Sequence, residues 1–160
     1  MAIEMDTIYA ENLSLLHFGD LMTLERLEPH FINAIHKLYK ESRVEGMSIE
    51  IKSTNFSSFF GKKSAVLAIE FKKSKIKKLS ANFFVLKNGN VYSLRLSRQI
   101  HATYLDTLRE KPQVQKIELL KNSFKGISER YDFSFFDEFI TSLYTQGLKS
   151  AKQLQEEKSL

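Results

Sequence analysis

Apolar side chains recur at every second position in residues 65–71 and again in 79–85, which is the two-residue period of β-strands. Asn88-Gly89 follows this alternation, and the pair is a strong hairpin signal because both loop positions of a type I′ turn need a positive φ. Such a pattern lets an antiparallel sheet bury one face, whereas a helix would scatter the same apolar side chains around its axis. The segment therefore predicts paired strands whose apolar positions are Ala65, Leu67, Ile69 and Phe71, followed by Leu79, Ala81, Phe83 and Val85.

The Asn-Gly pair also predicts the register of the hairpin. With Asn88 and Gly89 as the two loop residues, Lys87 would face Asn90. Apolar residues would then meet on one side of the ribbon, as a half-buried sheet requires. The further predicted pairs are Val85 with Tyr92, Phe83 with Leu94, Asn82 with Arg95, Ala81 with Leu96, and Leu79 with Arg98.

The remaining segments predict an α+β fold. Residues 1–20 show no clear period and predict an arm or a short helix. A helix begins at Pro29, a residue suited to the first helical position, and packs with C-terminal helices on the apolar face of the sheet. Because no repeat or flexible linker occurs, residues 1–160 predict a single domain. The sheet is predicted as a four-stranded antiparallel meander over about 47–53, 64–72, 79–87 and 90–98.

Two helices are predicted after the sheet. The second begins near Ser134, which forms an approximate capping box with Asp137. Residues 114–120 fit either a strand or a helix, and residues 153–160 are expected to fray into solvent. The first helix ends before Pro112, and its apolar positions are Ile100, Tyr104 and Leu108.

The composition excludes several kinds of site. The sequence has no cysteine, which removes disulfides, thiolate ligands and cysteine nucleophiles and fits a cytoplasmic protein. No stretch approaches the roughly 20 apolar residues of a membrane span, and the acidic first twenty residues lack the positive start of a secretory signal. No metal or cofactor is predicted, since no glycine-rich phosphate motif occurs and none of the histidines has the i, i+4 spacing of a helical metal pair: His17, His30, His36 and His101.

Positive charge is concentrated in one third of the chain. Residues 62–98 contain ten lysines and arginines against one acid, a net charge of +9, whereas residues 1–61 sum to −4 and residues 99–160 to zero. Strand direction brings most of these cations to one end of the sheet, where they predict binding of nucleic acid or an acidic protein surface. The alternative is a solvated turn that keeps the sheet soluble. The predicted binding residues are Lys72, Lys73, Lys75, Lys77, Lys78, Arg95 and Arg98, with Lys62, Lys63 and Lys87 at the opposite end.

A second hypothesis comes from Glu70-Phe71-Lys72, which follows the apolar run at 65–69. An acid and a lysine on one strand face resemble the catalytic strand of the PD-(D/E)xK nuclease superfamily. That resemblance implies acids that hold a divalent metal, with Glu50 as the upstream ligand, and a lysine that positions the attacking water. The pattern departs from that family, because a loop and a hairpin follow the lysine instead of a helix.

A third hypothesis is an adaptor or chaperone-like homodimer. Three phenylalanines lie in a predicted connection between strands, and exposed aromatics of this kind would form a docking patch. Their burial beneath the sheet is the alternative, since large apolar side chains are mostly buried. The same alternatives hold for the apolar stripe of the last helix. The three residues are Phe56, Phe59 and Phe60.

Overall fold

The computed structural model describes residues 2–14, 24–57, 62–88, 91–101, 104, 122 and 124–159. Side chains are described over 27–52, 65–86, 93–101, 104, 122 and 124–153. Within these residues the elements follow in the order β1 (Ala2–Ser14), α1 (Leu24–Ser42), β2 (Ser48–Ser57), β3 (Lys62–Glu70), β4 (Ser80–Asn88), β5 (Val91–His101) and α2 (Ile127–Ser159).

The strands form one antiparallel sheet in the order β1-β5-β4-β3-β2. The predicted α+β class is confirmed, and so is the antiparallel meander, because β2 to β5 are successive neighbours. Each of these strands alternates its side chains, so the apolar ones collect on the face that packs against the helices. The sheet extends beyond the prediction by one strand, since β1 pairs with β5.

The expected arm or short helix at residues 1–20 is wrong for residues 2–14, which form β1. The pairing of β1 with β5 shifts register between Glu4 and Asp6 and again between Asp6 and Tyr9. Each irregularity adds a residue to one strand and changes which side chains share a face. Two such shifts break the two-residue period, and that explains why the alternation is invisible in the sequence.

The predicted register of the β4–β5 hairpin is wrong by two residues. Lys87 pairs with Tyr92 and Asn88 with Val91, so Asn88 belongs to the strand. The intervening positions 89 and 90 lie outside the described residues. A shift of two residues preserves the side-chain face, and the apolar residues of both strands still meet on one side. Facing pairs therefore include Val85 with Leu94, Phe83 with Leu96, and Ala81 with Arg98.

Helix α1 begins five residues before the predicted start at Pro29. Proline has no N–H to donate, but it lies near the end where several N–H groups lack an intrahelical acceptor in any case. Leu27, Phe31 and Ile35 recur at spacings of four and are fully buried. This spacing places one continuous apolar stripe of α1 against the sheet and α2.

Helix α2 begins at Ile127, so Ser134 lies inside the helix and the predicted capping box is wrong. The helix continues through Ser159, beyond the point at 153 where fraying was expected. The preceding helix was also misplaced at its start, because β5 extends to His101 and Ile100 is a buried strand residue. Residues 105–121, including the ambiguous segment 114–120, lie outside the described residues.

The two helices approach each other closely on the apolar face of the sheet. Gly147 of α2 is buried against Ile35 and Phe31 of α1. His30 Nε2 lies 2.9 Å from the hydroxyl of Ser150, which adds a polar contact to the same helix pair. Neither helix, over the described residues, has an apolar stretch long enough to cross a membrane. The core joins residues of both helices and the sheet, among them Leu67, Ile69, Phe83, Leu96, Phe136 and Ile140.

Candidate anion-binding site

The connection between β3 and β4 alternates buried anchors with exposed lysines. Phe71, Ile76 and Leu79 are at most 9% exposed and attach this loop to the core. A hydrogen bond joins the two ends of this connection, because the N–H of Phe71 donates to the carbonyl of Leu79 at 2.9 Å. The lysines between these anchors are all exposed. Residues 71–79 are called the lysine loop. Its lysines are Lys72, Lys73, Lys75, Lys77 and Lys78.

Three hydrogen bonds attach the lysine loop to other parts of the chain. The N–H of Lys73 donates to the carbonyl of Gly46 in the turn after α1 (2.9 Å), and His101 donates its N–H to the carbonyl of Lys77 (3.0 Å). The N–H of Lys77 donates to the hydroxyl of Tyr104 (3.2 Å). A Cβ on Gly46, whose φ is +85°, would lie 2.7 Å from Cβ of Lys73, so the close approach requires glycine. The loop backbone is held on both sides.

The lysine loop borders an open cavity of about 410 Å³. Lys72, Lys75, Lys77 and Lys78 line it together with Ser74 and His101, and Glu70 is the acidic residue at its edge. Four ammonium groups against one carboxylate leave an excess of positive charge. Ammonium groups donate only, and the site therefore suits a phosphate or carboxylate that accepts several hydrogen bonds.

Arg95 and Arg98 were predicted to join these lysines, and the structure separates both from them. The shifted register places Arg95 opposite Phe84, four pairs away from the loop end of β4. Its side chain is half-buried and its Nε donates to the hydroxyl of Ser93 at 2.9 Å. Arg95 therefore lies roughly 13 Å along the strand from Ser80, at 3.3 Å per residue.

Arg98 lies on the apolar face of β5, in line with Leu94, Leu96 and Ile100, and is only 3% exposed. It donates to the carboxylate of Asp137 on α2. Its assignment to an exposed binding surface is wrong, because a side chain buried between sheet and helix cannot reach a macromolecular partner. The alternation of β5 already indicated this direction, since residues 94, 96 and 98 must share one face.

The nuclease hypothesis requires three residues to converge. Glu50 and Glu70 do share a sheet face, because Glu50 pairs with Ala68 and Glu70 with Ser48. Glu50 is exposed, however, and its carboxylate lies 3.7 Å from Lys52 of its own strand. Within the part of the chain that the structure describes, no group of three histidines and acids is arranged to hold a metal ion. Only Glu70 and Lys72 meet at the cavity.

The predicted aromatic docking patch falls largely outside the described residues. Phe59 and Phe60 are not among them, and only the backbone of Phe56, in β2, is described. The backbones of Lys62, Lys63 and Lys87 lie at the ends of β3 and β4 remote from the lysine loop, but their side chains also lie outside the described residues.

A row of partly exposed aromatic rings on α2 was not predicted. Tyr131, Phe135 and Phe139 recur every four residues, with ring centroids 6.1 Å apart in both steps and interplanar angles of 14° and 2°. Tyr39 of α1 continues the row at 6.2 Å from Phe139. Periodicity alone could have found this second stripe, because it is separate from the buried Phe133, Phe136 and Ile140. These four rings, Tyr131, Phe135, Phe139 and Tyr39, are called the aromatic row below.

Comparisons of the chain with protein-family models, with curated proteins and with solved structures give no match. Function is therefore inferred from the geometry and charge of the lysine loop and its surroundings.

Proposed function

We propose that this protein is a non-enzymatic binding module that holds an anionic macromolecule, either nucleic acid or an acidic protein surface, on the lysine loop. The observation that carries the proposal is the alternation within residues 71–79, where buried anchors leave five lysines exposed and four of these line one cavity. Cations at close spacing repel one another, and an anion at the cavity would relieve that repulsion.

The attachment of the loop supports a binding role over a merely solvating one. A turn that only keeps the sheet soluble needs no fixed backbone, whereas this loop is bonded to Gly46, His101 and Tyr104. A loop already held in place loses less conformational freedom when a partner binds. Reversal of the charges on Lys75, Lys77 and Lys78 distinguishes the binding role from the solvating role.

The test replaces Lys75, Lys77 and Lys78 by glutamate in the full chain. All three side chains are exposed, so the change should alter stability by no more than about 0.5 kcal/mol per residue. Binding is measured by fluorescence anisotropy with labelled single-stranded RNA, duplex DNA and polyglutamate at several salt concentrations. We expect at least one polyanion to bind the wild type and the variant to lose that binding. For nucleic acid, each lost phosphate contact should reduce the log–log salt slope by about 0.7 to 0.9.

The matched control reverses Lys62, Lys63 and Lys87, which changes the net charge of the protein equally. Their backbones lie at the opposite ends of β3 and β4, roughly 25 Å away at 3.3 Å per residue. Binding should persist in this control. Equal losses in both triple variants would indicate diffuse attraction and contradict the proposal, as would unchanged binding in both. Magnesium- or manganese-dependent cleavage of the nucleic acid, abolished by Glu70→Ala, would favour the nuclease hypothesis instead.

A further inference from the structure

We propose that the partner of the lysine loop is a single-stranded nucleic acid, whose phosphates lie on the lysines while its bases stack on the aromatic row. This inference rests on the proposed function and names the class of partner. Proteins that bind single strands combine a basic surface that follows the backbone with aromatic rings that stack on successive bases.

The aromatic row contacts the lysine loop through the ring of one loop residue. The ring of Phe71, the first residue of the loop, lies 6.3 Å from the ring of Phe135. Tyr131 lies one ring farther along the row, at 6.1 Å from Phe135. The first residue of the lysine loop is therefore in contact with the aromatic row.

Tyr131 is the exposed end of the row and the ring most open to stacking. It is 67% exposed, whereas Phe135 and Phe139 are half-buried and pack against the core. Aromatic side chains are usually buried, so an exposed tyrosine at the end of a parallel set that contacts a basic loop is informative. The near-parallel ring planes, at 14° and 2°, give the three rings one common orientation.

The acids beside the row favour nucleic acid over an acidic protein. Asp132 follows Tyr131 and Glu138 precedes Phe139 along α2. Carboxylates of an acidic protein laid over this strip would be repelled by both residues. A single strand separates its charge from its bases, so phosphates can occupy the lysine loop while uncharged bases occupy the row.

The test compares Tyr131→Ala with two matched variants, Tyr131→Phe and Ile127→Ala. Tyr131→Phe keeps an aromatic face. Ile127 is 84% exposed one turn earlier on α2, and Ile127→Ala removes an exposed apolar side chain that has no aromatic ring. Probes are a single-stranded RNA, a duplex of the same sequence and polyglutamate. We expect Tyr131→Ala to weaken single-strand binding about 5- to 150-fold and to leave duplex binding unchanged. Tyr131→Phe and Ile127→Ala should bind as the wild type does.

Three results would overturn the inference. Equal weakening by Tyr131→Ala and Ile127→Ala would mean apolar docking of a protein. Tighter binding of polyglutamate than of RNA would identify an acidic protein as the partner. If the wild type is a dimer in solution and the Tyr131→Ala variant is a monomer, the row mediates self-association instead. In each case the lysine-loop proposal stands if charge reversal at Lys75, Lys77 and Lys78 still abolishes binding, and it fails separately if that reversal has no effect.

Discussion

At the scale of single residues, the side chain of Glu28 accepts a hydrogen bond from a strand N–H that lies beyond the end of the β3–β4 pairing. The β3–β4 pairing runs from Val66 with Phe84 to Glu70 with Ser80, and Ala65 lies just beyond it. There the N–H of Ala65 donates to Oε1 of Glu28 on α1, at 3.0 Å. A strand N–H that would otherwise be buried without an acceptor is satisfied by a helix carboxylate.

The same carboxylate carries an energetic cost. Its second oxygen, Oε2, is buried and accepts no hydrogen bond from the described residues. Burial raises the pKa of Glu28 above its ordinary value of 4.5, and the hydrogen bond from Ala65 opposes this only in part. Between 4.5 and the raised pKa the folded protein therefore binds more protons than the unfolded chain. Stability must then fall as pH rises through that window.

We predict that Glu28→Gln reduces this pH dependence, because glutamine keeps an acceptor for Ala65 and cannot ionise. Relative to the wild type, the variant should gain stability as pH rises from the acidic to the neutral range. Urea unfolding at several pH values measures the effect. Glu28→Ala should also lose this pH dependence, but at acidic pH, where Glu28 is protonated, it should cost about 1 to 3 kcal/mol, since it leaves a partly buried N–H unpaired.

Glu41→Gln provides the control. Glu41 lies on the same helix, is exposed, and pairs with Lys37 at 4.0 Å. Such a surface pair contributes at most about 1 kcal/mol. Parallel pH curves for the wild type and Glu28→Gln would show that Glu28 does not carry this linkage.

At the scale of elements, the contact between α1 and α2 depends on one small residue. A Cβ on Gly147 would lie 2.8 and 2.9 Å from two carbons of Ile35 and 3.1 Å from Phe31. Both neighbours are fully buried and have no room to move away. Glycine is normally unfavourable within a helix by about 1 kcal/mol relative to alanine, so its presence here reflects the need for close packing.

We predict that Gly147→Ala destabilises the protein even though alanine is the better helix former. Overpacking costs about 1 to 3 kcal/mol, which should exceed the gain in helix propensity. Gly126→Ala is the matched control, because its nearest heavy-atom neighbour would lie at 3.7 Å, an ordinary contact. Thermal unfolding should show a lower Tm for Gly147→Ala only. A higher Tm for this variant would mean that the helices can separate at no cost.

At the scale of the whole molecule, Arg98 joins the sheet to the helical layer. Its side chain is 4% exposed and donates to Asp137, whose side chain is 33% exposed. A charge buried between two layers is tolerable only while its partner remains, because desolvation of an unpaired guanidinium is costly.

We predict that Asp137→Ala destabilises the fold by about 3 kcal/mol, the lower end of the range for a broken buried pair, since Asp137 is partly exposed. Glu138→Ala, at the exposed neighbouring position, should change stability by less than about 0.5 kcal/mol. The double variant Arg98→Met with Asp137→Ala should recover much of the loss, because an apolar side chain needs no partner. Urea unfolding of the set checks this, and equal effects at 137 and 138 would contradict it.

Strands β2 to β5, their antiparallel order and the exposed lysines of residues 71–79 follow from local sequence patterns alone. Side-chain direction in a strand follows from the backbone alone, so alternation from Ala65 to Val85 could be interpreted without knowledge of any distant contact. Buried anchors and exposed lysines in residues 71–79 are likewise determined by local hydrophobicity. Local patterns of this kind are preserved in the fold.

The register and the contacts between segments that lie far apart in the chain depend on tertiary structure. A hairpin shifted by two residues keeps the same faces, and so the pattern could not distinguish the predicted register from the one observed. The bulged pairing of β1 with β5, the burial of Arg98 against Asp137, and the junction of Phe71 with Phe135 each join residues far apart in the chain. Their energies depend on packing and desolvation over the whole core, which no local period in the sequence encodes.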